Sequence, residues 1–198
     1  MTDPARLDTR VRLMTAEDAP LSVRDRFAHG DPGPITASLA NVPELLQVSA
    51  PFIGRALGGV TVTPRVAELV IVRSSALLRC RYCTLTHAAV ALDVGLDPAE
   101  VRALCDPSVP PATAARDERE ATLLAWVQEV AAGHDEVPDE IADSMAAAFD
   151  EATIVELAVM IGCTIFLNRY CTALRLPVGD GSLATLAAAG IAPTELTG

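Results

Sequence analysis

From Arg65 to Val94 the chain contains neither glycine nor proline. The segment opens on Thr63-Pro64, a hydroxyl N-cap followed by proline at the first helical position. It closes on Gly95-Leu96-Asp97-Pro98-Ala99-Glu100, where Gly95 stops one helix, Asp97 caps the next and Glu100 completes a capping box. Such a stretch is longer than an ordinary globular helix. It is either one long helix or two helices meeting near Arg79-Cys80 without a breaker between them. In both cases an all-α fold is dictated, because the apolar runs that could be strands, Leu69–Val72 and Val155–Ile161, lie inside segments of helix length.

The remaining punctuation agrees. The first twenty residues read as polar and irregular, and a short helix is expected over Leu21 to Ala28. The run Gly30-Asp31-Pro32-Gly33-Pro34 reads as a loop. Helices are predicted from Pro43 to Leu57, Ala114 to Ala132, Pro138 to Phe149 and Ala152 to Leu174, with a last short one near Ser182. The organisation expected is an N-terminal arm over 1–34 and one all-helical domain over 35–198, its halves spanning about 35–105 and 112–198. Apolar residues make up 51 % of the 198, and only 4 % are aromatic. The core is therefore expected to consist of small aliphatic side chains on closely packed helices.

A formal net charge of −11 disfavours nucleic acid and anionic membrane as partners. The N-terminus mixes charge and proline where a secretory signal would be apolar. No run is read as approaching the roughly 20 apolar residues of a spanning helix, so a cytoplasmic protein is expected. Five cysteines cannot all pair with one another. In a reducing compartment a Cys-x-x-Cys pair is more often catalytic or metal-binding than a structural bridge.

Sliding the chain over itself by 88 residues lays Arg81-Tyr82-Cys83-Thr84 on Arg169-Tyr170-Cys171-Thr172 and Glu68-Leu69 on Glu156-Leu157. Two related helical halves facing each other about a pseudo-twofold axis would give this echo. Asn168 stands for Cys80 and Arg175 for His87, so the second half lacks one thiol and the imidazole. The comparison isolates Cys80 and His87 as additions to a common frame.

Cys80, Cys83 and His87 fall at spacings of three and four, which places them on one helix face. Two thiols so placed can close a disulfide, and a helix beginning at Cys80 would put both at its positive end, favouring thiolate. His87 can take a thiol proton and later return it. Glu68 would lie roughly 20 Å or more from Cys83 on a continuous helix, and reaches the site only if the chain turns back. The competing readings are part of a zinc site, for which a second cysteine pair is missing, and a pair of inert buried thiols. Tyr82 is expected as a pocket wall or a member of the relay. Cys105 and Cys163 are read as packing residues, Cys171 as structural with a lone reactive thiol lacking a resolving partner as the alternative, and Glu156 as a scaffold carboxylate capping or pairing with Arg169 or Arg175. His29 and His134 have no assigned role.

The pattern Glu68-x11-Cys80-x2-Cys83-x3-His87 resembles the signature of alkyl hydroperoxidase D-like proteins, within the wider carboxymuconolactone decarboxylase-like family. The flanking stretch from Asn41 to Leu104 looks similar as well. The resemblance implies an all-α homo-oligomer, with trimers and hexamers common. It implies Cys83 as peroxidatic cysteine, Cys80 as resolving cysteine, and Glu68 and His87 as proton relay. The substrate implied is a small hydroperoxide, with no bound cofactor and re-reduction by an external dithiol, which can be a lipoyl-bearing protein. Some members carry a second histidine where this chain has Tyr82, and the decarboxylases of the family lack the cysteine pair. The alternatives are a non-catalytic thiol redox sensor and a non-redox, decarboxylase-like member.

Overall fold

The computed structural model describes residues 9–133 and 135–197, and every regular element among them is helical. A 3-10 turn at Leu21–Phe27 precedes α1 (Pro34–Leu39), α2 (Pro43–Leu57), α3 (Pro64–Leu77), α4 (Arg81–Asp93), α5 (Pro98–Cys105) and α6 (Pro111–Ala114). Then follow α7 (Glu118–Ala132), α8 (Asp139–Ala148), α9 (Glu151–Leu174), α10 (Asp180–Ala188) and α11 (Pro193–Thr197). The short helices α1, α6 and α11 were not expected from the sequence. His134 and residues 1–8 lie outside the described residues.

The fold is organised around α3, which is buried continuously from Ala67 to Ala76 and packs on α4, α5, α7 and α9. Helix α3 is buried all round its circumference and contributes to two cores. Leu69 and Val72 join Leu85, Ala88, Leu104 and Leu186 on one side, while Val70 and Ile71 join Leu123, Val127, Leu157 and Met160 on the other. Of the polar residues it carries inward, Glu68, Arg73 and Ser75 have side-chain hydrogen-bond partners. The Arg73 guanidinium, fully buried, donates to the Asp106 and Val109 carbonyls at 2.8 and 2.9 Å and to Gln128 Oε1 at 3.0 Å. This holds the proline loop after α5 against α3. Burial pushes the Arg73 guanidinium below its ordinary range.

Between α3 and α4 the chain reverses within Leu78-Arg79-Cys80. Arg79 takes the left-handed conformation (φ 54°), and the N–H groups of Arg79 and Cys80 donate to Ala76 O and Ser75 O at 3.0 and 3.1 Å. This is a Schellman turn with arginine in the position glycine usually fills. The long segment is therefore two antiparallel-packing helices. Its downstream boundary is as read: Asp97 Oδ1 accepts from the Ala99 and Glu100 amides, and Glu100 Oε2 accepts from the Asp97 amide, all at 2.8 Å.

The second half does not copy the break. α9 runs through Leu167 and Asn168, the counterparts of Arg79 and Cys80, and ends only at Arg175, again left-handed (φ 52°). With 24 residues and an 18-residue stretch of mean hydropathy 1.6, α9 also corrects the expectation that no segment reaches spanning length. Length and composition alone would suffice, but α9 packs against α2, α3, α4, α7 and α8. Glu156 is the scaffold carboxylate expected, with a different partner. It accepts from the Val60 and Thr61 amides and the Thr61 hydroxyl, closing the loop after α2 rather than pairing with Arg169 or Arg175.

Residues 9–20 lie across the end of α9. The Arg10 amide donates to Leu174 O and the Met14 amide to Ala37 O, each at 3.0 Å. Asn41 Nδ2 donates to Arg12 O at 2.8 Å.

Candidate functional site

The turn at Arg79 folds α4 back along α3 and brings the distant residues of the motif together. Glu68 on α3 and His87 on α4 meet through Glu68 Oε2 and His87 Nδ1 at 2.9 Å. The Glu68 side chain is 9 % exposed and the His87 ring 22 %, so the contact is largely shielded from water. A carboxylate accepting from Nδ1 fixes the neutral ring with its proton there and leaves Nε2 as the basic nitrogen. His87 follows Cys83 by one turn of the same helix.

Cys80 is the N-cap residue of α4 and Cys83 lies in its first turn, the placement anticipated from the sequence. The expected preference for thiolate does not follow. Cys80 and Cys83 are 0 % and 4 % exposed, in a cluster with Cys171 and Leu176 that is flanked by Leu13, Tyr82 and Tyr170. A hydrogen bond with Cys83, then burial, push the Cys80 thiol far above its ordinary range. A hydrogen bond with Cys171 pushes Cys83 up, outweighing the opposing one from Cys80, and burial adds to it. In the reduced resting form both sulfurs are neutral thiols. The favourable field of a helix N-terminus, typically 0.3–1 kcal/mol or about that, is smaller than the cost of a buried charge.

Tyr82 is half-buried and packs against both the thiol cluster and the α4–α10 core, as a wall would. Burial pushes its phenol up. Cys105, the last residue of α5, lies in the core and Cys163 packs with Ala56 and Leu167, both as expected of packing residues. Cys171 differs from that expectation in being part of the thiol cluster itself. The echo at 88 residues, which aligns it with Cys83, was the signal that could have placed it there. His29 is exposed in the loop before α1. Among the described residues, no group of three or more His, Cys, Asp or Glu side chains is placed to hold a metal.

A cavity of about 850 Å³ lies between the N-terminal arm, the loop before α1 and the segment from Leu176 to Leu183, and none of Cys80, Cys83 and His87 lines it. Leu13 and Leu176 both line it and pack on the cysteine cluster, and Arg81, next to Cys80, stands at its edge. Its walls are mainly apolar, including Met14, Phe27 and Val178.

The same all-helical frame is found in solved structures of the alkylhydroperoxidase core. The solved structure of an alkylhydroperoxidase AhpD core, an uncharacterised peroxidase-related protein from Ralstonia eutropha JMP134, superimposes with a TM-score of 0.77 at 17 % identity, covering 90 % of this chain and 96 % of that one. An uncharacterised peroxidase-related protein from Silicibacter sp. TM1040 gives 0.77 at 17 % identity, with 92 % and 97 % covered. The debrominase Bmp8, solved in complex with 2,3,4-tribromopyrrole, gives 0.73 at 18 % identity, with 92 % and 98 % covered. Residues 43–129, which hold the whole Glu68–His87 motif, match the Carboxymuconolactone decarboxylase family. That match covers less than half of the chain, and the solved structures share its fold. No curated protein matches it.

Proposed function

We propose that the protein is a thiol-dependent hydroperoxide reductase in which Cys83 is oxidised and Cys80 resolves it. The observation that carries this reading is the Glu68–His87 contact at 2.9 Å, built by the turn that also sets the two thiols at the head of α4. A buried neutral thiol needs a base, and His87 Nε2 is the ring nitrogen that Glu68 leaves available. In the proposed cycle His87 takes the Cys83 proton as the thiolate attacks the peroxide oxygen. It returns that proton to the alkoxide, which leaves as alcohol. The Cys83 sulfenic acid then condenses with Cys80, giving a disulfide and water. An external dithiol, of which a lipoyl-bearing protein is the kind expected, restores the two thiols. The apolar cavity under Leu13 and Leu176 suits an organic hydroperoxide.

The same reading places the protein in the reducing cytoplasm as a homo-oligomer. Val48 and Phe52 on α2 and Val155 and Phe166 on α9, each at least half exposed, support an assembled state such as a trimer or hexamer.

The test is steady-state reduction of cumene hydroperoxide with dihydrolipoamide as donor. Turnover in the wild type that disappears in Cys83→Ser is expected; equal turnover in Cys83→Ser would overturn the assignment. A second reading, reduction of a carbon–halogen bond by the same dithiol, is supported by the likeness of fold to a debrominase. Release of bromide from a brominated pyrrole with no reaction toward hydroperoxide would favour it.

A further inference from the structure

Three of the five cysteines converge. Cys171, on α9 and 1 % exposed, shares its buried cluster with Cys80 and Cys83, whereas Cys105 and Cys163 pack elsewhere. Cys80, Cys83, Cys171 and Leu176 form one buried cluster, so the α9 thiol is enclosed with the two α4 thiols. The chain reaches this cluster from two directions. Helix α4 presents Cys83 in its first turn, and α9 presents Cys171 in its last, at the crossing of the two helices. Cys171 is also the residue that the internal echo lays upon Cys83, so the two related segments meet at corresponding positions.

We propose that Cys171 is a second resolving thiol for Cys83, able to close a Cys83–Cys171 disulfide that ties α4 to α9. The inference rests on the hydroperoxide-reductase reading for its oxidant. Attack of the Cys83 thiolate breaks the O–O bond and leaves Cys83 as sulfenic acid, with the alcohol released. The Cys171 sulfur then attacks the sulfenic sulfur. The S–S bond forms, the S–O bond breaks, and hydroxide departs as water with the Cys171 proton. Cys83 is thereby oxidised by two electrons overall, shared with Cys171 in the disulfide, and a dithiol donor returns them. Cys80–Cys83 is a local closure within one turn, while Cys83–Cys171 joins segments 88 positions apart. The second bond gives the sulfenic acid an exit inside the core when Cys80 is absent or already modified, and so protects Cys83 from further oxidation to sulfinic acid.

The experiment uses full-length Cys80→Ser protein, reduced, treated with cumene hydroperoxide in the presence of dimedone, then alkylated and peptide-mapped. Joint loss of the Cys83 and Cys171 thiols as one disulfide-linked peptide pair, with little dimedone adduct, is expected. The double variant Cys80→Ser/Cys171→Ala is expected to accumulate the dimedone adduct on Cys83. Diamide, which couples neighbouring thiols without peroxide, is applied in parallel. Cys83 trapped by dimedone with Cys171 fully alkylated in Cys80→Ser overturns the proposal while the peroxidase reading stands. A Cys83–Cys171 bond under diamide but no reaction under hydroperoxide overturns that reading and the resolving role with it. Wild-type protein, which needs no substitution to fold, is expected to show a minor Cys83–Cys171 pair beside Cys80–Cys83 under diamide; its complete absence there counts against the proposal.

Discussion

Replacing Glu68 by glutamine isolates the electrostatic part of the relay. The substitution keeps an oxygen that can accept from His87 Nδ1, so the 2.9 Å contact survives in shape. What it removes is the negative charge that stabilises an imidazolium when His87 has taken the Cys83 proton. Two unit charges 4 Å apart attract by about 4 kcal/mol at the effective dielectric of a partly buried site. Glu68 is 9 % and His87 22 % exposed, so solvent screening is limited. The amide dipole recovers part of the loss, leaving about 2–3 kcal/mol. At about 1.4 kcal/mol per tenfold change, Cys83 oxidation should slow by about 30- to 150-fold. Quench-flow mixing with cumene hydroperoxide, with the remaining Cys83 thiol counted by alkylation, measures it. Thermal unfolding of Glu68→Gln should stay near wild type because the hydrogen bond is retained. A folded Glu68→Gln protein oxidised at the wild-type rate would refute the role given to the Glu68–His87 pair.

Two further outcomes follow from the backbone and from the buried thiols. Arg79 is exposed and left-handed at φ 54°, so Arg79→Gly should stabilise by about 1 kcal/mol. That corresponds to a rise of about 2–4 °C in Tm; a lower Tm would mean that the Arg79 side chain contributes what the strain conceals. Burial, partly opposed by Arg73, pushes Cys105 from its ordinary 9.0 up to about 12, and Cys80, Cys83 and Tyr82 also shift upward. Above about pH 9 the unfolded chain gives up these protons while the folded one keeps them, so the stabilisation present below that pH is lost as pH rises. Urea midpoints should fall from about pH 9 upward, and the fall should be shallower in Cys105→Ala; a flat profile would contradict the burial of these groups.

The sequence carried much of this architecture, for reasons visible in particular residues. Pro43–Leu57 and the α5 capping box are written in local chemistry, a proline at the first helical position and an Asp–Glu exchange with backbone amides, and the fold reproduces them. The reversal at Arg79 has no such local signature. Arginine has no preference for the left-handed conformation, and it is held there because ten consecutive residues of α3, Ala67 to Ala76, are buried among other helices. α4 has to fold back to share that core. Helix α1 was hidden by its own start signal, since Gly33-Pro34 reads as the end of a loop as readily as the first turn of a helix. For the thiols, spacing located the residues, but their protonation depends on Leu176, Cys171 and the arm residue Leu13, none of them near in sequence. A helix end supplies one favourable field, and enclosure of the sulfurs outweighs it.

In the proposed function Glu68, Cys80, Cys83 and His87 act together in a peroxide-driven disulfide cycle. It is tested most directly by rapid mixing of fully reduced protein with a stoichiometric organic hydroperoxide, following the Cys80 and Cys83 thiols by mass spectrometry. The account predicts fast, stoichiometric formation of the Cys80–Cys83 disulfide, absent in Cys83→Ser and slowed in Glu68→Gln. Oxidation no faster than that of a free thiol, or equally fast in Cys83→Ser, would contradict it.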